Sequence, residues 1–267
     1  MVKAIGIYRE FNPLGKNELD KNIINLVAEE LRKKGFEAKT VAAEDFDPNE
    51  DADIIFSAAR KGINATLVEK EKNGTCIINS PRSIVFSFNR KEVYKKLMEL
   101  GANIPKTEFV PLEDLSFAGL GRKVILKPAN RHELWFVIDN EEDFNKAIEE
   151  YKKHGVEEII VQDFVEGRTA KYYVAGGEIL LLQEIVESCP PEVIDNIKEQ
   201  IRLSGEATGL KVFGGDFIIS EDKAYCVDTN DWPSFSVNKD LTQEVASVKI
   251  ANFIDKEYKD FLKNKAE

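Results

Sequence analysis

A chain of 267 residues with a formal net charge of -11, 43% apolar and 32% charged, is globular and acidic rather than disordered. That balance excludes nucleic acid as the main partner, since a phosphate backbone is bound by a basic surface. The length suffices for two or three small domains. No stretch approaches the roughly 18 apolar residues of a spanning helix, and MVKAIGIYRE is expected to be neither signal peptide nor anchor, so no membrane partner is expected. The three cysteines (Cys76, Cys189, Cys226) are far apart with no CxxC pair, and there are two histidines (His132, His154). A disulfide framework, a zinc site and a histidine-based metal site are therefore not expected, and the expected compartment is the cytoplasm.

AIGIY (4–8) suits a buried parallel strand. Asn22 to Lys34 puts Ile23, Ile24, Leu26, Val27, Ala28 and Leu31 on one helical side, closed by Gly35. FEAKTV (36–41), ADIIFSA (52–58) and GTCIINS (74–80) continue a strand–helix alternation that implies βαβ units and a parallel sheet. Pro81 marks a boundary. Beyond it come a helix over 89–101, the extended NIPKTEFV, a strand KVILKPA (123–129), a helix over 142–155 and a strand EIIVQDFV (158–165). AKYYVAGGEILLLQEIV (170–186) reads as a hairpin turning at Gly176-Gly177, and 191–209 as a helix. GGDFIIS and KAYCVDTN form a second hairpin around SEDK, and a last helix runs from about Thr242.

The second hairpin carries the chemistry. Asp228 and Asn230, two apart on a strand, point to one face, and the partner strand can place Asp216 beside them. Two carboxylates and an amide oxygen make a hard ligand set suited to magnesium. Without a cation, carboxylates this close raise the pKa of one of them. The same residues are also turn formers ahead of Trp232-Pro233; the apolar hairpin, with Asp216 across from them, favours the metal.

Asp216, Asp228, Asn230 and Pro233 resemble the magnesium-binding signature of ATP-grasp enzymes, a G-[VG]-D hairpin followed by [ED]-x-N-x-x-P. NSPRSIVFSFNRKEVYKKLMELGANIPKTEFV (79–110) is similar to that family's entry helix, and VILKP carries its lysine, Lys127. IIVQDFVEG resembles the strand that holds adenine, and AKYYVAGGEI the substrate-side strand after it. The resemblance spans about 79–236 in family order. It implies a Rossmann-like pre-ATP-grasp α/β domain over 1–80, then a two-lobed fold of α/β and α+β class. Its N-terminal lobe would cover 81–160, and its C-terminal lobe, with the metal site, 161–267. Carboxylate–amine ligases of the ribosomal-protein glutamate ligase type and inositol-phosphate kinases of the same fold are the similar branches.

The resemblance implies ATP and magnesium as cofactors, with Asp216, Asp228 and Asn230 as metal ligands. Lys127 would face the α- and β-phosphates, with Lys91 a second phosphate contact or simply a solvated helix lysine. Gln162 would hold adenine by its side chain, Asp163 and Val165 through their backbone, and Glu166 the ribose; the Asp163 side chain reads equally as an exposed strand-end acid. Lys171 would reach toward the transferred phosphate or the acceptor, the alternative being a solvent-facing strand lysine. The chain departs from the family after Lys127, where PANRHELWFV lacks the usual glycine-rich loop, so Arg131 or His132 is expected to stand in, the alternative for His132 being a structural histidine. Between the two hairpins only Arg202 offers an obvious anion contact. The expected activity is a carboxylate–amine ligase working through an acyl phosphate on a small acidic acceptor. The alternatives are a small-molecule kinase, toward which Asp at 228 and D-x-N-x-x-P-S-F point, and a non-catalytic nucleotide-binding module, against which the intact metal set argues. The expected partner is a small-molecule acceptor, with a homodimer left open.

Overall fold

The computed structural model describes residues 1–11, 17–130, 134–182, 189–221, 223–235 and 242–266. Its frame is three four-stranded sheets. The first is parallel, in the order β2-β1-β3-β4, built from β1 (Lys3–Ile7), β2 (Glu37–Val41), β3 (Ile54–Ser57) and β4 (Cys76–Ile78). Helix α1 (Asn17–Lys33) joins β1 to β2 and α2 (Asn64–Lys72) joins β3 to β4. Along α1 the buried residues are Ile23, Ile24, Val27, Ala28 and Leu31, the apolar stripe that the 3.6-residue period predicts. The helix begins five residues earlier than the apolar period alone suggested, because its first turn carries Glu18 and Asp20, which suit a helix N-terminus.

Helices α3 (Pro81–Phe88) and α4 (Arg90–Glu99) lead to the second, antiparallel sheet, ordered β5-β8-β6-β7. Its strands are β5 (Thr107–Pro111), β6 (Val124–Pro128), β7 (Phe136–Ile138) and β8 (Glu158–Asp163), with a four-residue helix α5 (Phe117–Leu120) before β6. Helix α6 (Glu141–Lys153) covers it, capped by Asn140, which accepts from the Asp143 amide at 3.0 Å. Tyr151 of α6 donates to the Leu126 carbonyl at 2.9 Å, tying helix to sheet inside a core of Val124, Leu126, Phe144, Ala147 and Ile159.

The third sheet is antiparallel, ordered β10-β9-β11-β12, from β9 (Arg168–Ala175), β10 (Glu178–Leu182), β11 (Val212–Ser220) and β12 (Lys223–Asp231), with α7 (Pro191–Thr208) packed against it. The β9–β10 turn falls at Gly176-Gly177, both at positive φ (59° and 83°), as a tight hairpin requires.

Two boundaries differ from the sequence expectation. The 160/161 division falls inside β8, all of which pairs in the second sheet. Helix α8 (Gln243–Ala266), expected in the last unit, packs with α1 and the first sheet: Ala246, Ile250, Ala251 and Ile254 share a core with Ile24, Val27 and Phe56. That core also takes in Tyr173, Trp232 and Phe235, so it seals the first sheet to the third. Asn79 adds a polar rivet. Fully buried, it accepts from the Lys211 and Val212 amides (2.8 Å each) and donates to the Val212 carbonyl (2.7 Å).

Candidate active site

The site is built on β11 and β12. Their register sets Asp216 opposite Asp228, Gly215 opposite Thr229 and Gly214 opposite Asn230. Glycine at 215 is demanded by proximity: a Cβ there would lie 2.0 Å from the Asp228 carbonyl oxygen and 2.7 Å from the Tyr172 hydroxyl. Tyr172, fully buried, stacks on Phe217 at 4.6 Å and floors the hairpin. Burial pushes its phenol well above the ordinary range, so it is a neutral wall.

Asn230 donates to Asp228 Oδ2 at 2.6 Å, as expected for strand residues two apart. On the neighbouring β9, Lys171 is register-opposed to Asp216, and its ammonium lies 2.5 Å from Asp216 Oδ1. Arg90 Nη2 lies 3.7 Å from Asp228 Oδ1. Asp216, Asp228, Asn230 and Lys171 are thus brought together. The two carboxylate side chains keep 24% and 26% exposure, so they remain open to a ligand. Among the described residues no three His, Cys, Asp or Glu side chains cluster as a metal site; the oxygen donors gathered here are the Asp216 and Asp228 carboxylates and the Asn230 amide.

Just past Asp216 the ladder slips by one residue, a β-bulge that leaves Val227 without a register partner. Its carbonyl accepts from Tyr94 Oη at 2.7 Å and Lys127 Nζ at 3.1 Å. Lys127, on β6, also donates to Gln162 Oε1 (2.8 Å) and Tyr94 Oη (3.1 Å), so all three ammonium hydrogens have protein acceptors. Lys127 therefore bridges the second sheet to the β11–β12 hairpin. Gln162 is fully buried and donates onward to Thr107 Oγ1 at 3.0 Å. Its side chain orients Lys127, where the sequence reading had it facing adenine.

Lys91 is held by Glu158 at 2.5 Å and lies over the Phe109 ring at 5.8 Å. The neighbour that faces the hairpin is Arg90, which sequence reading missed. The signal was present: Arg90, Val93, Tyr94 and Leu97 form the buried stripe of α4 at helical spacing, whereas Lys91 falls off it. Asp163 is paired with Arg122 at 2.5 Å, its bland reading, and this contact raises the Arg122 pKa. Half-buried Val165 and exposed Glu166 lie in the connection from β8 to β9, between the two antiparallel sheets. Arg202 stands apart. It is bound by Glu199 and Glu206 of its own helix and lines a separate groove of about 360 Å³ with Gly176, Ile201 and Phe253. The anion contact expected of it would thus fall on that groove and not on the β11–β12 hairpin. Arg131 and His132 lie outside the described residues.

Two antiparallel sheets meeting over a carboxylate-bearing hairpin, preceded by a parallel α/β unit, constitute the ATP-grasp fold, and this chain has that fold. It is similar to D-alanine–D-alanine ligase from Bacillus anthracis solved with ATP: 15% identity over 99% of this chain and 100% of that one, TM-score 0.77. It is also similar to a RimK-domain ATP-grasp protein from Sphaerobacter thermophilus (15%, 94% and 99%, TM-score 0.71). VanG D-Ala:D-Ser ligase from Enterococcus faecalis is a third such structure (12%, 96% and 99%, TM-score 0.76). No protein-family model and no curated protein matches the sequence. Among the described residues no helix is long and apolar enough to cross a membrane.

Proposed function

We propose that this chain is a cytoplasmic, ATP- and magnesium-dependent carboxylate–amine ligase acting on a small acidic substrate. The observation that carries the reading is the convergence of Asp216, Asp228 and Asn230 with Lys171 and Arg90, beside Lys127 from the facing sheet. The fold supports it too, since the similar structures named above include ligases of this reaction class.

The donor set fits magnesium: two register-opposed carboxylates and an amide offer only hard oxygen ligands. When bound, that cation neutralises charge developing on the transferred phosphoryl group. Asp216, Asp228 and Asn230 would hold it. Lys127, a point charge already aimed at the seam between the sheets, would meet the phosphate tail by exchanging a protein acceptor for a phosphate oxygen. Arg90 would add a planar fork for phosphate oxygens. Lys171 would turn from Asp216 toward the reacting groups, and the backbone of 163–165 would line the adenine end. The substrate carboxylate oxygen attacks the γ-phosphorus, the bond to the bridging oxygen breaks and ADP leaves. An amine nitrogen then adds to the acyl carbon, gives up a proton, and inorganic phosphate departs.

The test is ATP turnover with magnesium and a panel of small carboxylic acids, with and without an amine, using hydroxylamine to trap acyl phosphate. Phosphate release and hydroxamate formation that need the acid support the ligase. A stable phosphorylated product means a kinase, and tight ATP binding without acceptor-dependent turnover means a silent module.

A further inference from the structure

Asp231, the residue after Asn230, is 2% exposed, and two arginines from the first sheet hold it. Arg60 approaches Asp231 Oδ1 through both Nε (2.8 Å) and Nη2 (2.7 Å). Arg9 Nη2 lies 3.4 Å from Oδ2 and donates to the carbonyls of Asp231 (2.9 Å) and Trp232 (3.0 Å). The chain needs that grip where it is placed: Trp232 sits at φ 34°, a region disfavoured for a bulky side chain. Arg9 follows β1 and Arg60 follows β3, adjacent strands whose connections leave in opposite directions; this is the crevice where open parallel sheets take ligands. Glu10 ties the two loops together by accepting the Arg60 (3.0 Å) and Lys61 (2.7 Å) amides. Arg60 also lies 5.0 Å over Phe88, at the end of α3, two residues before Arg90.

Burying a carboxylate with two guanidiniums gains little stability over an apolar filling of the same space. What it does fix is geometry. We propose that Asp231 is a positioning residue: through Arg9 and Arg60 it clamps the end of β12 to the crevice of the first sheet, and so holds Asn230 and Asp228 in place for the divalent cation. This rests on the proposed metal reading. Groups that orient metal ligands typically cost about 10–100-fold in metal affinity when removed.

The experiment measures Mn2+ uptake by the full chain in the presence of ATP, from the paramagnetic signal of free Mn2+. It compares the unaltered protein with Asp231→Asn and Arg60→Lys. The second variant keeps the charge beside Asp231 but loses the planar fork, and a thermal melt of each variant checks that it is folded. The expected result is Mn2+ affinity about tenfold weaker in both, with ATP affinity in the absence of metal unchanged. In the metal-free variants, hydrogen exchange at the Arg60 and Lys61 amides is faster. Unchanged Mn2+ affinity and exchange in a folded Arg60→Lys protein overturns the clamp and leaves the proposed function standing. Failure of the unaltered protein to take up Mn2+ with ATP overturns both.

Discussion

Replacing Asp228 with asparagine preserves shape and removes one charge, so it separates metal binding from folding. The Arg90–Asp228 approach of 3.7 Å is an attraction of about 1 kcal/mol in water-like surroundings and about 4 kcal/mol at a dielectric near 20. The Asp228 side chain is 26% exposed, so solvent screening favours the lower figure. Register-opposed Asp216 carries the same charge, and its repulsion works against that attraction. The net change in stability is therefore within about 1 kcal/mol, a shift in Tm of roughly 2–4 °C. Turnover is a different matter: loss of a group that stabilises charge in the transition state costs about 10²–10³ in rate. The assay is ATP turnover across a magnesium titration, alongside a thermal melt. A variant that melts normally and turns over ATP with unchanged magnesium dependence refutes the metal assignment.

Lys127→Met strips Gln162, Tyr94 and Val227 of a shared donor. It should destabilise by about 1–3 kcal/mol and weaken ATP binding, by titration calorimetry, more than Lys171→Met does; the reverse order would move the phosphate grip to the third sheet. Gly215→Ala drives a Cβ to within 2.0 Å of the Asp228 carbonyl oxygen, so strands β11 and β12 must part. A loss of about 3 kcal/mol in denaturant unfolding is expected, and a normal midpoint would contradict the close approach. Burial, with a contribution from Asp216, pushes Tyr173 from 10.0 to about 12. The fold keeps its proton after the unfolded chain has lost it, so this stability is complete below pH 10 and is lost as pH rises toward 12. Tyrosinate absorbance from Tyr172 and Tyr173 should therefore appear together with loss of helical ellipticity, and ionisation within a still-folded protein would contradict their burial.

The parts of this molecule legible from residues alone were those whose cause is local. Alternation puts Asp228 and Asn230 on one face, paired glycines turn a hairpin, and an apolar stripe marks α1. The parts that were not legible depend on what meets what. Helix α8 shows its apolar face in its sequence, but nothing there says that the face is covered by α1 rather than by the sheet preceding it in the chain. Lys91 and Arg90 are adjacent cations, and only phase along α4 decides which one faces the hairpin. Gln162 was given to adenine because the pattern cannot reveal that its oxygen is already occupied by Lys127, 35 residues earlier.

Those occupied partners bear on how the site would work. Among the described residues, the cations at the hairpin already have internal partners: Lys171 has Asp216, Arg90 is ion-paired with Asp228, and Lys127 has Val227, Gln162 and Tyr94. Without a ligand the cluster is close to neutral and costs little to keep, because opposite charges lie beside each carboxylate. On the proposed reading, an anionic phosphate tail and a divalent cation must enter together. Asp216 and Asp228, released by Lys171 and Arg90, would hold the cation, and Lys127, Lys171 and Arg90 would hold the tail. Either one alone leaves one set of charges unpaired in a partly buried seam, which is unfavourable. The exchange of partners thus couples nucleotide to metal without any moving lid. It requires that ATP affinity rise with magnesium far more steeply in the unaltered protein than when both Lys171 and Arg90 are replaced by methionine. An equal magnesium response in that double variant would show that the internal pairs are merely structural.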